Sequence, residues 1–133
     1  MIFADASALI AIIAQEPEAL ALSAVLQTDP VRSYSALGAW ETVAGLCRSY
    51  AFSAAAARAR TELFLDALGF ELVTIGKPEF EIASDAYARF GKGRHPAQLN
   101  MGDCFAYACA KTNDAKVLFT GNDFAKTDIA VAR

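Results

Sequence analysis

Four acidic residues stand where chemistry can be done. Asp5 follows the apolar run MIFA, Glu41 lies in SALGAWETVAGLCRSY, Asp103 sits near the start of NMGDCFAYACAK, and Asp123 follows VLFT after the turn GN. Each has a plain alternative. An Asp between a strand and a helix is commonly an N-cap. Asp103, three residues after Asn100, suits position N3 of a capped helix, where it meets the helix dipole and completes a variant capping box. Glu41 falls between Leu37 and Arg48 at the margin of an apolar stripe, where it can be a solvated edge residue. The combination changes the reading. Four carboxylates converging at one strand end would repel one another and take up protons unless a cation lay between them. An all-oxygen donor set selects a hard ion, Mg²⁺ or Mn²⁺ rather than Zn²⁺. The chain has a single histidine, His95, which removes two-histidine and His-rich zinc chemistry, and it carries no Walker loop, Gly-x-Ser-x-Gly elbow or Gly-x-Gly-x-x-Gly. Hydrolysis of a phosphodiester by water is the reaction such a set suits. A carboxylate not engaged by the ion, such as Glu41, would orient or deprotonate that water.

Something must hold these acids at one strand end. Short apolar runs at 1–4, 31–35, 70–75, 116–120 and 129–132 have the length and residue types of strands. Between them helical patterns pair up, at 6–14 and 17–28 with Pro17 near the start of the second, at 36–51 and 53–68, and at 78–90 and 101–112. Strands separated by helical crossovers predict a parallel sheet covered on both faces, and therefore a three-layer α/β fold. Ligands of such sheets bind outside the carboxyl ends of the strands, where Asp5 and Asp123 fall. In the third element pair, CFAYACA leaves no polar face before Lys111, so a helix over 101–112 is expected to be buried nearly all round. In the helix carrying Glu41, the spacing of Leu37, Trp40, Val43, Ala44 and Cys47 predicts the inward face.

The composition agrees with this class. At 133 residues, 55% hydrophobic and 20% charged, the chain fits one domain over 1–133 with a full core, without Gly/Ser/Pro-rich linker or internal repeat. The opening MIFADASALIAIIA lacks a basic leader, contains Asp5 and is too short to span a bilayer, so it reads as structure, with no membrane partner. Three cysteines, Cys47, Cys104 and Cys109, sit in apolar helical patterns without a Cys-x-x-Cys pair and read as reduced core residues of a cytoplasmic protein. A formal charge of −3 speaks at first against a nucleic-acid partner. Setting the four acids aside as ligands leaves +1, so the global sign decides nothing.

Taken with MIFADASALIAII and the WE on a mid-chain helix, the blocks RFGKGRHPAQLNMGDCFAYACAK and VLFTGNDFAKTDI make the chain resemble the PIN-domain ribonucleases, specifically the VapC toxins of bacterial toxin–antitoxin pairs, from Met1 to about Ile129. The resemblance implies a three-layer α/β/α domain with a central, mainly parallel sheet, a Mg²⁺- or Mn²⁺-dependent endoribonuclease activity, neutralisation by a cognate VapB antitoxin, and a homodimer. The family's acidic constellation falls on Asp5, Glu41, Asp103 and Asp123, with Asp5 and Asp103 as direct metal ligands and Ser7, Thr120 and Asn122 as supporting polar positions. Many relatives place a further acid two positions before the Asp-Phe pair. This chain has Gly121 there, which weakens the case for a fully furnished second metal position.

In ARFGKGRHP, Arg89, Lys92 and Arg94 lie between two helical stretches with flanking glycines, as RNA backbone contacts or as a solvated loop, and His95 before Pro96 reads as a loop residue. Leu20, Leu22, Val25 and Leu26, with Leu63, Phe64 and Leu68, line either an antitoxin groove or the core. Two rivals remain. A phosphoacceptor receiver module needs an Asp at a central strand end, and FELVTIGKPEF, taken as the middle strand, offers none. A catalytically silent binding protein is opposed by the intact set of four acids.

Overall fold

The computed structural model describes residues 1–132. Four strands, β1 (Ile2–Ala4), β2 (Arg32–Ser35), β3 (Glu71–Val73) and β4 (Lys116–Leu118), form one sheet in the order β3-β2-β1-β4. Every pairing is parallel, with Ile2 against Arg32 and Lys116, and Ser35 against Val73. Six helices cover it: α1 (Ala6–Ile13), α2 (Ala19–Leu26), α3 (Ala36–Tyr50), α4 (Ala54–Ala67), α5 (Lys77–Phe90) and α6 (Met101–Thr112).

Local chemistry explains where these helices begin. Asp5, Ser35, Ser53 and Asn100 are N-caps whose side chains accept from backbone N–H groups of Ser7, Gly38, Ala56 and Asp103. At α5 the Gly76 N–H donates to Glu79 Oε1 at 2.7 Å, and Pro78 occupies the first turn, where its missing donor costs nothing.

Alternation along β1 builds the three layers. Phe3 points into a core formed by α5 and α6, with Phe90, Leu99, Tyr107 and Val117. Its neighbours go the other way: Ile2 packs with Ala8, Ala11, Leu22 and Leu26, and Ala4 with Leu9 and Leu65. The α/β/α expectation therefore holds. The expected burial of α6 holds too, since Cys104 and Ala106–Ala110 are all buried.

Three expectations need correction. The run 129–132 contributes only an isolated parallel bridge, Val117 to Val131, because two hydrogen bonds to Val117 are all it makes to β4. Residues 70–75, middle in chain order, form the edge strand β3, since the chain crosses back to place β4 beside β1. The inward face of α3 is also different: Gly38, Thr42, Gly45 and Leu46 are buried, whereas Trp40 is 67% exposed. Close approach is the reason. A Cβ on Gly45 would lie 3.4 Å from Ile10 Cγ1 and nearer still to Cδ1, so α3 meets α1 through its small residues and turns its largest side chain outward.

Candidate active site

In the order β3-β2-β1-β4 the connection direction reverses between β1 and β4, and a crevice opens at such a switch point beyond the strand ends. Asp5 is the residue immediately after β1. Its backbone N–H donates to Leu118 O at 3.0 Å, joining the two strand ends, while its Oδ2 accepts from Ser7 N at 3.0 Å. Ser7 Oγ in turn accepts from Thr120 N at 3.0 Å and pins the loop after β4. Ser7 and Thr120 thus tie the loop after β4 to the start of α1 beside Asp5.

Asp103 enters from α6 through a reciprocal cap. Asn100 N donates to Asp103 Oδ2 at 3.1 Å and Asp103 N donates to Asn100 Oδ1 at 2.9 Å. One carboxylate oxygen is thereby spent on the cap, which fixes the side chain. Glu41 reaches in from α3 over the first turn of α6, and Gly102 makes room for it: a Cβ there would fall 2.5 Å from the Glu41 carboxyl carbon.

Asp5, Glu41 and Asp103 line one cleft of about 260 Å³, together with Ser7, Trp40, Arg48 and Asn100. Asp123 does not line it. It is exposed after the Gly121 turn and ahead of a short 3-10 turn over Phe124–Lys126, close enough for its charge to act on Asp5 and Asp103. Asn122 beside it is exposed. Gly121 has φ +82°, a left-handed backbone conformation that glycine adopts without strain.

The electrostatics show what the cleft needs. Burial, then the charges of Asp5 and Asp103, pushes the Glu41 carboxyl up to about 7. Burial, then the charge of Asp5, pushes Asp103 up to about 6 despite its hydrogen bond from Asn100. Asp5 is raised chiefly by burial, against lowering hydrogen bonds from Ser7 and Ala6. No basic side chain figures among these influences. Among the described residues no three acidic, histidine or cysteine side chains are drawn tightly enough together to form a finished metal cage. The donor set nevertheless fits a hard divalent ion in kind, being all oxygen and short of positive charge. Asp5 and Asp103 are the residues that would hold it, with Glu41 beside them in the same cleft.

Other candidates lie elsewhere. Arg89 pairs with Asp128 at 3.2 Å and stacks over Phe90 at 4.6 Å; Asp128 also accepts from Tyr107 Oη at 2.6 Å. Arg94 lies over the Tyr87 ring at 5.0 Å, and Lys92 is exposed. His95 is a loop residue as expected, its Nδ1 accepting from Ala97 N at 3.0 Å. The hydrophobic residues of α2 and α4 divide: Leu22 and Leu26 are core, Phe64 packs on Phe70, and Leu20 and Leu63 are 86% and 66% exposed. An apolar groove of about 420 Å³ runs instead between α3, α4 and β3, with Trp40, Val43, Leu65 and Leu72 in its wall. The sequence reading missed Arg48 as a cleft residue. Its position seven residues after Glu41 puts it on the same side of α3, and that spacing was the available signal.

Residues 2–130 match the PIN domain family. A "Ribonuclease VapC" of Mycolicibacterium smegmatis is 40% identical over 126 residues, covering 95% of each chain. The chain belongs to the PIN-domain family, among the VapC proteins. The fold agrees with solved members. The crystal structure of Mycobacterium tuberculosis VapC20, described as a sarcin-ricin loop cleaving toxin, superposes with a TM-score of 0.79 at 20% identity, over 100% of this chain and 99% of that one. A chain of VapBC2 from Rickettsia felis, solved on a DNA fragment from the VapBC2 promoter, superposes with a TM-score of 0.74 at 12% identity, over 100% and 98%. Family membership, rather than the position of β3, is what sets this VapC-type PIN domain apart from a receiver module.

Proposed function

We propose that this chain is a Mg²⁺- or Mn²⁺-dependent endoribonuclease toxin, cytoplasmic, that cuts RNA phosphodiester bonds and is neutralised by a VapB-type antitoxin. The observation that carries the reading is the convergence of Asp5, Glu41 and Asp103 on one cleft at the β1/β4 switch point, where the one cation of the lining, Arg48, pairs with none of them. The ribonuclease name of the M. smegmatis relative and the VapBC2 assembly of the R. felis neighbour support it.

In this account Asp5 and Asp103 are the direct ligands, each held rigid by a cap. A bound divalent ion supplies a Lewis acid for the phosphate and a water of lowered pKa. Glu41, which lines the same cleft, takes the proton from the attacking water, and Asp123 adds negative charge from the rim to help retain the ion. Lys92 and Arg94 on the loop after α5 contact the RNA backbone, and Arg89 does so by exchanging Asp128 for phosphate.

Partners follow from the exposed apolar surface. The antitoxin covers the groove between α3, α4 and β3, whose rim residue Trp40 also lines the acidic cleft, so filling one obstructs the other. A second copy packs on Phe80, Tyr87 and Met101, which are 60%, 46% and 63% exposed around a hollow beside the start of α6. Among the described residues no helix is long and apolar enough to cross a membrane.

The test is digestion of a broad RNA pool by the purified chain, stripped with EDTA and then given Mg²⁺ or Mn²⁺. Cleavage only after metal is returned, with fragment ends free of 2′,3′-cyclic phosphate, is expected of direct attack by water. Cleavage in EDTA, or cyclic ends, contradicts the proposal.

A further inference from the structure

Two residues on α3, Trp40 and Arg48, line the acidic cleft without a part in its acid–base chemistry. Trp40 is 67% exposed and borders both the acidic cleft and the apolar groove. Arg48 is the one cation lining that cleft, and among the described residues it makes no hydrogen bond or ion pair. Trp40, Ala44 and Arg48 are spaced i, i+4, i+8, which places them in one row along the helix, about 12 Å from end to end at 1.5 Å per residue. Ala44 keeps the row low between its ends, and Glu41 stands beside it on the acid side.

A free guanidinium at one end of a cleft whose other charged residues are all carboxylates attracts an anion, and it does so only at that end. A polyanion repelled by Asp5, Glu41 and Asp103 would be held in register there. An exposed indole beside it is a stacking platform that any base can use, because every base has a π face. A duplex buries its bases; an unpaired strand presents both a base and a phosphate.

We propose that the Trp40–Arg48 row of α3 is a positioning site for single-stranded RNA, with one unpaired base stacked on the Trp40 indole and a backbone phosphate held by the Arg48 guanidinium. The proposal rests on the ribonuclease reading of the adjacent acids. It explains how a cleft rich in carboxylates takes hold of a polyanionic substrate.

The chain contains one tryptophan, so intrinsic indole fluorescence reports Trp40 alone. The experiment uses the Asp103→Asn protein in Mg²⁺, which leaves the strand uncut, and a short fluorescein-labelled single-stranded RNA. Binding is read by anisotropy, and stacking by Trp40 fluorescence with an unlabelled copy of the same RNA. Fluorescence is expected to quench in step with binding. Trp40→Ala is expected to weaken binding on the order of tenfold. Arg48→Gln is expected to weaken it by a similar factor and to reduce the salt slope of log K by about 1. Placed singly in the otherwise unaltered enzyme, each substitution is expected to raise KM with kcat within about twofold, a split that loss of fold would not produce. Circular dichroism checks that both exposed substitutions leave the fold intact.

Binding with unchanged Trp40 fluorescence and an unchanged Arg48→Gln salt slope overturns the proposal and leaves the ribonuclease reading standing. A Trp40→Ala protein that binds RNA normally but loses affinity for an antitoxin peptide assigns the row to the protein partner and also overturns it. No RNA binding of any kind overturns both.

Discussion

Replacing Gly102 by Ala should separate the site from the fold. The backbone at Gly102 is helical, at the second position of α6, and Ala is the better helix former by up to about 1 kcal/mol, so stability should not fall. The new methyl would lie 2.5 Å from the Glu41 carboxyl carbon, against 3.4–4 Å for ordinary contact. Because the obstructing atoms are the end of a flexible side chain, the carboxylate yields rather than the helix, and it must withdraw by roughly 1 Å. A displacement of that size in a reacting group costs about 10²-fold in rate, or about 2.7 kcal/mol of transition-state stabilisation. Single-turnover RNA cleavage in Mn²⁺ measures the rate, and urea denaturation measures the stability. Glu41→Asp, one methylene shorter, should relieve the clash, so adding Gly102→Ala to Glu41→Asp should cost much less than adding it to the unaltered protein. A Gly102→Ala enzyme that cuts at the original rate would refute the positioning of Glu41 over α6.

The remaining predictions draw on the same groups. Asp5, Glu41 and Asp103 have raised carboxyl pKa values in the folded protein, so the fold binds more protons than the unfolded chain; for Asp103 and Glu41 the stabilising contribution is full below about pH 4 and is lost as pH rises through about 6 and about 7. In EDTA the melting temperature should therefore be higher at pH 5 than at pH 8 by several degrees, and Mg²⁺ should raise it more at pH 8 than at pH 5. Asn100→Ala should cost about 1 kcal/mol in denaturant melts by removing the α6 cap, and should lower cleavage further by loosening Asp103. Gly45→Ala should destabilise by about 1–3 kcal/mol, read by the same melts, because its methyl meets Ile10 across the α1–α3 contact.

Much of this architecture was legible in the residues because the relevant signals are local. Five of the six helices and all four strands fall within the segments that apolar runs and caps mark out, since Asp5, Ser35, Ser53 and Asn100 satisfy helix N–H groups wherever the helix later packs; α5 starts one residue early, at Lys77. The acids were legible through position after a strand or in a first turn. What failed depended on neighbours. Trp40 follows the apolar period of α3, but Ile10 approaches at Gly45, so small residues take the inside and the indole is left out. Nothing within 70–75 marks it as an edge strand, because that depends on β4 returning to the far side of β1. Arg48 shares a side of α3 with Glu41, yet its place in the cleft requires α6 and β1 to supply the other walls. Asp123 was assigned with the other acids, and its exposed position outside the lining is set by the Gly121 turn.

The most direct measurement of the central claim is cleavage by Asp5→Asn and Asp103→Asn, each nearly isosteric with the residue it replaces and each checked for fold by circular dichroism. The same RNA, enzyme concentration and Mn²⁺ are used as for the unaltered chain. If these carboxylates hold the catalytic ion, each substitution lowers the single-turnover rate by about 10³-fold or more, a loss of at least about 4 kcal/mol of transition-state stabilisation. If metal-restored cleavage survives unchanged in both, the site at the β1/β4 switch point is not where this protein cuts RNA.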